Sequence, residues 1–176
     1  STAASTSETD LIDVCWMFEQ ITARHGVHAD RSGIRRAVDE GARFAAELPD
    51  SSWNRWLTES AHSLGFVARV IEGQLPELIS LARDGMYVVL RSAAGDWRLL
   101  GGHGGRRLLL LEPRAQRPVR TLRPHHVSTQ LQSAGFTGLL RCVVIEPHKV
   151  GSHSQHSEHN HHATPLSRLI GLMRAE

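Results

Sequence analysis

The stretch Asp84–Pro113, DGMYVVLRSAAGDWRLLGGHGGRRLLLLEP, decides the fold. It holds three short apolar blocks, Met86–Ser92, Trp97–Leu100 and Arg106–Glu112. Each has strand length and is rich in Val, Leu, Tyr or Trp. Ala93–Asp96 and Gly101–Gly105 separate them, and such small, Gly-rich segments mark turns. The glycine-rich turn Gly101-Gly102-His103-Gly104-Gly105 has no P-loop spacing and no following Lys-Ser/Thr. It sits between strands rather than before a helix, so a hairpin is expected and a phosphate cradle is not.

Upstream of this block the apolar period is helical. Thr9 or Asp10 can cap a first helix, on which Leu11, Cys15, Phe18 and Ile21 recur and Ile12 and Trp16 widen the stripe. Gly26 closes it. Ser32 can cap a second helix with Ile34, Val38, Phe44 and Leu48 as apolar positions, and Pro49 stops it. A third begins at Asp50–Ser52, carries Trp53, Trp56, Leu57 and Leu64, and ends at Gly65. Phe66–Ile71 reads as a strand and Pro76–Arg83 as a fourth helix, with Pro in the first turn, where its missing N–H costs nothing. Downstream, Pro118–Leu122 reads as a strand, Pro124–Ser133 as a helix and Gly138–Glu146 as a last strand. Helices first and strands second is the α+β order.

The chain has 176 residues, 40% of them hydrophobic, with a formal net charge of +2. That length suits one domain with a core of its own. The balanced charge excludes a disordered polyelectrolyte and argues against an obligate nucleic-acid binder. Cys15 and Cys142 form no CxxC pair and no disulfide framework, which suits a reducing setting. No apolar run is long enough to span a bilayer, and the polar N-terminus does not read as a signal peptide.

Residues 1–10 read as a disordered leader and 11–147 as the folded domain. Residues 148–164 read as a His-rich linker. Residues 165–176 read as an amphipathic helix leading towards a missing transmembrane domain. Twelve histidines is a high count, and the tail holds His153, His156, His159, His161 and His162. These are weak candidates for a Zn²⁺ or Ni²⁺ site, because imidazoles three apart can share an ion on a helix. The interleaved Gly151, Ser152, Ser154, Ser157 and Asn160 favour a solvated linker, so no metal and no cofactor is expected.

The order helix, LGFVARVIEG, helix, DGMYVVL, RRLLLLEPRAQR, helix, GLLRCVVIEP resembles a known family. It is similar to the bacteriocin-processing, papain-like cysteine peptidase domain found at the N-terminus of bacterial ABC exporters of peptides and toxins. The resemblance covers roughly Leu11–Pro147, and the ending PLSRLIGLMRAE looks like the segment before the first transmembrane helix of such transporters. It implies a papain-like α+β fold, with N-terminal helices packed on an antiparallel sheet.

An active member of that family uses a helix-borne Cys nucleophile, a strand His as base, an orienting Asp before Pro and an upstream Gln. A cysteine attacks well only as the thiolate, so it needs a helix N-terminus or an imidazolium beside it. This chain departs at each position. Met86 precedes the Tyr-Val-Val-Leu strand where the family has its His, and a thioether cannot accept a proton. The Asp-Pro corresponds to Glu112-Pro113. The nucleophile position falls nearer Asp13 than Cys15, and Gln20 lies downstream. The resemblance therefore implies the degenerate, peptidase-like domain of toxin-exporting, type I secretion transporters. Such a domain does not cut; it docks or regulates exported polypeptide cargo on the cytoplasmic face of the inner membrane. Its partners are that cargo and the transmembrane and nucleotide-binding domains of the same transporter, an ATPase, with no nucleic acid involved. The alternative is an active cysteine peptidase that removes a leader peptide with Cys15.

Other readings have plain counterparts. Cys15 on an apolar helix face is more often core than nucleophile, and Cys142 reads as strand core. His25, His28 and His62 lie at helix ends or faces and need no function. His125 and His126 act as bases only if the fold brings them to Cys15. Trp16, Trp53, Trp56 and Trp97 either line a peptide groove or fill the core. Arginines from Arg106 to Arg123 either dot a solvated surface or form a basic edge towards cargo or lipid headgroups.

Overall fold

The computed structural model describes residues 7–47 and 52–147. Three helices come first: α1 (Glu8–His25), α2 (Arg31–Ala46) and α3 (Trp53–Ser63). Then follow β1 (Val67–Gln74), α4 (Leu75–Arg83), β2 (Tyr87–Arg91), β3 (Trp97–His103), β4 (Arg107–Leu111), β5 (Val119–Leu122), α5 (Pro124–Ser133) and β6 (Leu139–Glu146). The strands form one sheet in the order β1-β6-β2-β3-β4-β5, and every neighbouring pair is antiparallel. The α+β expectation holds at this level.

The sheet is covered on both faces. Tyr87, Val89, Trp97, Leu99, Leu109, Leu111, Val143 and Ile145 face α1, α2 and α3. Met86, Val88, Leu90, Leu100, Leu108, Leu110, Cys142 and Val144 face α4 and α5. Burial on both sides explains why YVVL, LLLL and CVVI are unbroken apolar runs rather than alternating ones. The last strand, β6, inserts between β1 and β2, with Val143 opposite both Val70 and Val89.

The helix starts differ from the sequence reading. The α1 cap is Ser7, whose hydroxyl accepts from the Asp10 N–H, so residues 8–10 belong to the helix rather than to a leader. Its closing Gly26 sits in the left-handed region at φ 62°, as a helix-ending glycine does. The α2 cap is Asp30, not Ser32: its carboxylate accepts from Gly33 N–H at 2.7 Å. The α1 stripe is also rotated. Asp10, Asp13, Val14, Met17, Phe18 and Ile21 are buried, whereas Ile12 is 57% exposed and Cys15 and Trp16 only flank the core. Two aspartates on the buried face hide its true direction from hydrophobic periodicity. On α2, Phe44 is exposed rather than core.

Residues 1–6, 48–51 and 148–176 lie outside the described set. So do Leu48, Pro49, Asp50, the five tail histidines and the helix expected over 165–176. Among the described residues no helix is long and apolar enough to cross a membrane.

Candidate functional site

The N-terminal half of α1 is where the resemblance locates catalysis, and polar contacts define it. Asp10 is held from four sides. The Ser7 hydroxyl donates at 2.8 Å, Trp97 Nε1 at 3.0 Å and Arg91 at 3.0 Å, and the Arg114 guanidinium lies 3.6 Å away. Burial pushes this carboxyl up, but the hydrogen bonds from Ser7 and Trp97 and the charges of Arg91 and Arg114 outweigh it and hold the group below the usual range. One turn on, Asp13 accepts from Arg114 Nε at 2.7 Å. Here burial wins over Arg114, with Asp10 and Asp96 adding repulsion, and the carboxyl is raised. The network ties the start of α1 to β2, β3 and the loop after β4.

That loop begins with Glu112, which pairs with Arg98 at 2.7 Å and with Arg120. Asp96, Trp97, Arg98, Glu112, Pro113 and Arg114 line a small hollow of about 200 Å³. Of its two acids, Glu112 is engaged by two arginines, while Asp96 is tied to Ser92 Oγ through its backbone N–H at 3.0 Å.

The four positions taken from the resemblance do not converge. Asp13 points towards Arg114. Cys15 turns the other way, towards α2, with Arg35 and Asp39 of α2 and Glu19 of α1 as its charged neighbours. Burial pushes its thiol up to about 11, so it is protonated at neutral pH. Met86 is 3% exposed and packs on the α4–α5 face, opposite to α1. Glu112 sits in its own arginine pair. The residue that opens β2 on the α1 face is Tyr87, and its hydroxyl shares a 2.8 Å hydrogen bond with His25 Nε2 from the last turn of α1. The two rings meet edge to face at 5.3 Å. Burial, with Arg24 adding to it, lowers the His25 pKa. The Tyr87 ring has room because Gly101 lies beneath it: a Cβ there would come within 2.8 Å of Tyr87 Cε1.

The remaining candidates fall as follows. Trp56 and Trp97 are core, with Trp56 Nε1 donating to the Val38 carbonyl at 2.9 Å, and so do not line a groove. Trp16 and Trp53 pack against that core from its margin. Cys142 is fully buried, as expected of a strand interior. His62 bonds the Ala68 carbonyl at 3.2 Å, while His28, His103, His125 and His126 are exposed. His28 belongs to an open cleft of about 850 Å³ with Asp30, Arg36, Glu40 and Ser63. Among the described residues no cluster of His, Cys, Asp or Glu can hold a metal ion.

Sequence reasoning missed the Asp10–Arg91–Trp97–Arg114 network and the His25–Tyr87 pair. The spacing of Asp10 and Asp13, three apart in the first turns of a helix, was the available signal for the first. The second joins residues 62 apart and left no local trace. No family model matches the chain, and no curated protein matches it.

Proposed function

We propose that the chain is a non-catalytic, peptidase-like accessory domain of an ABC-type peptide or toxin exporter. In this reading it docks or regulates polypeptide cargo at the cytoplasmic face of the membrane. The observation that carries the non-catalytic part is the surroundings of Cys15. Its thiol is raised to about 11, it faces α2, and the imidazole nearest the start of β2 is already bound to Tyr87. A nucleophilic cysteine needs the reverse: a lowered pKa and an imidazole within hydrogen-bond reach. The order of helices and antiparallel strands supports the papain-like part of the reading. The PLSRLIGLMRAE segment supports the transporter part.

The rival reading, leader removal by Cys15, needs a base that the described residues do not bring to it. A peptide carrying a thiol-reactive electrophile separates the two. At neutral pH the account expects labelling of Cys15 no faster than that of a free, unactivated thiol. Rapid, selective labelling of Cys15 would sink it. Cargo docking is tested by titrating an unfolded polypeptide into the protein and following backbone amide shifts. Localised, saturable shifts are expected, and their absence across a panel of unfolded chains counts against docking.

A further inference from the structure

The two ends of the sheet differ in charge. At the end where β2 finishes and β3 starts, five arginines are matched by acids and Arg117 stands exposed: Arg91 and Arg114 pair with Asp10 and Asp13, Arg98 and Arg120 with Glu112, Arg141 with Glu72. The opposite end carries Arg24, Arg83, Arg106, Arg107 and Arg123, all exposed. None of the five has a carboxylate partner among the described residues.

The topology gathers them. His103 stands opposite Arg107 in the β3–β4 ladder. Leu108 stands opposite Leu122, so Arg107 and Arg123 are next in line. The end of α4 abuts the same point, since a Cβ on Gly102 would lie 2.7 Å from the Ala82 carbonyl oxygen and 3.6 Å from that of Arg83. Arg24 arrives from the other face, one residue before His25 on Tyr87. Helix α5 starts here as well, with Arg123 as its N-cap, no acid in its first turn and His125 and His126 exposed. The carboxylates at this end include Asp84 and Glu146, Asp30 in capping α2, Glu19 against Arg31, and Glu40 in the cleft beside Asp30.

The chain also leaves the described body at this end. Glu146 closes β6 opposite Val67, and Ile145 pairs with Tyr87, the first residue of β2. Residues 148–176 continue from there, with Lys149, Arg168 and Arg174 beside Leu166, Leu169, Ile170, Leu172 and Met173. A cluster of arginines on one surface, and a further stretch of mixed apolar and basic composition in the same chain, are the two sequence features that favour attachment to a lipid surface.

We propose that this basic end faces an anionic lipid surface, with the five arginines held against its headgroups. The patch contains no Trp, Tyr or Phe, which weighs against single-stranded nucleic acid, where bases stack on aromatic rings. The inference stands apart from cargo docking, since it concerns a lipid surface and not a polypeptide.

The full chain is tested by co-sedimentation with vesicles of neutral phosphatidylcholine, and with the same vesicles containing 30% phosphatidylglycerol. Binding is expected to the anionic vesicles alone and to weaken steeply between low and physiological salt. The triple variant R106Q/R107Q/R123Q is expected to lose about 100-fold in partitioning. R35Q/R36Q, on α2, is expected to lose much less, and both variants are expected to keep the parent circular dichroism spectrum. Equal binding to neutral vesicles, or an unchanged partition for the folded triple variant, would overturn the proposal. So would displacement from anionic vesicles by single-stranded RNA at concentrations below those of the lipid. If the triple variant proves unfolded, single substitutions R106Q and R123Q replace it, each with an expected loss of about five-fold.

Discussion

Asp10 shows how one residue can organise an end of a domain. It is an early helix residue on the buried face, and its two oxygens take up a cap hydroxyl, an indole N–H and two guanidinium groups. Removing one member of such a half-buried network leaves the others unpaired, which costs more than the network is worth intact. Asp10→Ala is expected to destabilise the protein by about 2–4 kcal/mol, read from urea unfolding at neutral pH. The pH dependence has a definite sign. The folded pKa of Asp10 is depressed, so its stabilisation is present above the unfolded carboxylate value of 3.8 and is lost as pH falls through the folded value. The penalty of Asp10→Asn should therefore shrink in acid. Asp13 is the opposite case. Its folded pKa is raised, so the parent loses stability as pH climbs from 3.8 through the folded value. Asp13→Asn should gain relative to the parent over that window. Unfolding curves at pH 3 and pH 7 for both variants check the two signs together; equal pH dependence in both would contradict the assignment.

Among the elements, glycines set how closely layers approach. On α2, Gly41 meets α3: a Cβ there would lie 2.9 Å from the Ser60 N and 3.0 Å from the Trp56 carbonyl, with the Ser60 hydroxyl nearer still. Alanine in a helix interior is worth about 1 kcal/mol over glycine, whereas forced overpacking costs about 1–3 kcal/mol. Backbone rather than a flexible side chain blocks the space, so the clash wins, and Gly41→Ala is expected to lower thermal stability. On β3, Gly101→Ala collides with the Tyr87 ring, so it should also break the His25–Tyr87 bond, visible as a changed His25 titration by NMR. These close approaches explain what the sequence concealed. Strand positions were legible because burial on both faces leaves long apolar runs, and α5 matches its expected bounds, Pro124–Ser133. The first two helices were legible in existence but not in orientation or capping. The i, i+3 spacing puts Asp10 and Asp13 on one helix face but does not mark that face as buried, since their arginine and tryptophan partners lie 81 to 104 residues away.

The described residues form one sheet with a core on each side. All four tryptophans belong to the α1–α3 side. Leu78 and Leu131 lie in the core on the other side. Strands β2, β3, β4 and β6 contribute to both, so the two cores should unfold together. Leu78→Ala is expected to cost about 2–5 kcal/mol and to shift the tryptophan fluorescence midpoint as far as the circular dichroism midpoint. Separate transitions would show that the layers are independent.

The candidate site was legible only as an absence of the expected His, and the sequence assigned that absence to Met86. The structure puts Met86 on the far face and sets Tyr87 opposite α1, because a one-residue step along a strand reverses the face. In the proposed reading Cys15 is not an activated thiol. The pH profile of its alkylation by iodoacetamide, with peptide mapping to separate it from Cys142, tests this. The rate is expected to keep rising beyond pH 9, as for a thiol with a pKa of about 11. A plateau reached below pH 7, the mark of a thiolate paired with an imidazolium, would contradict it.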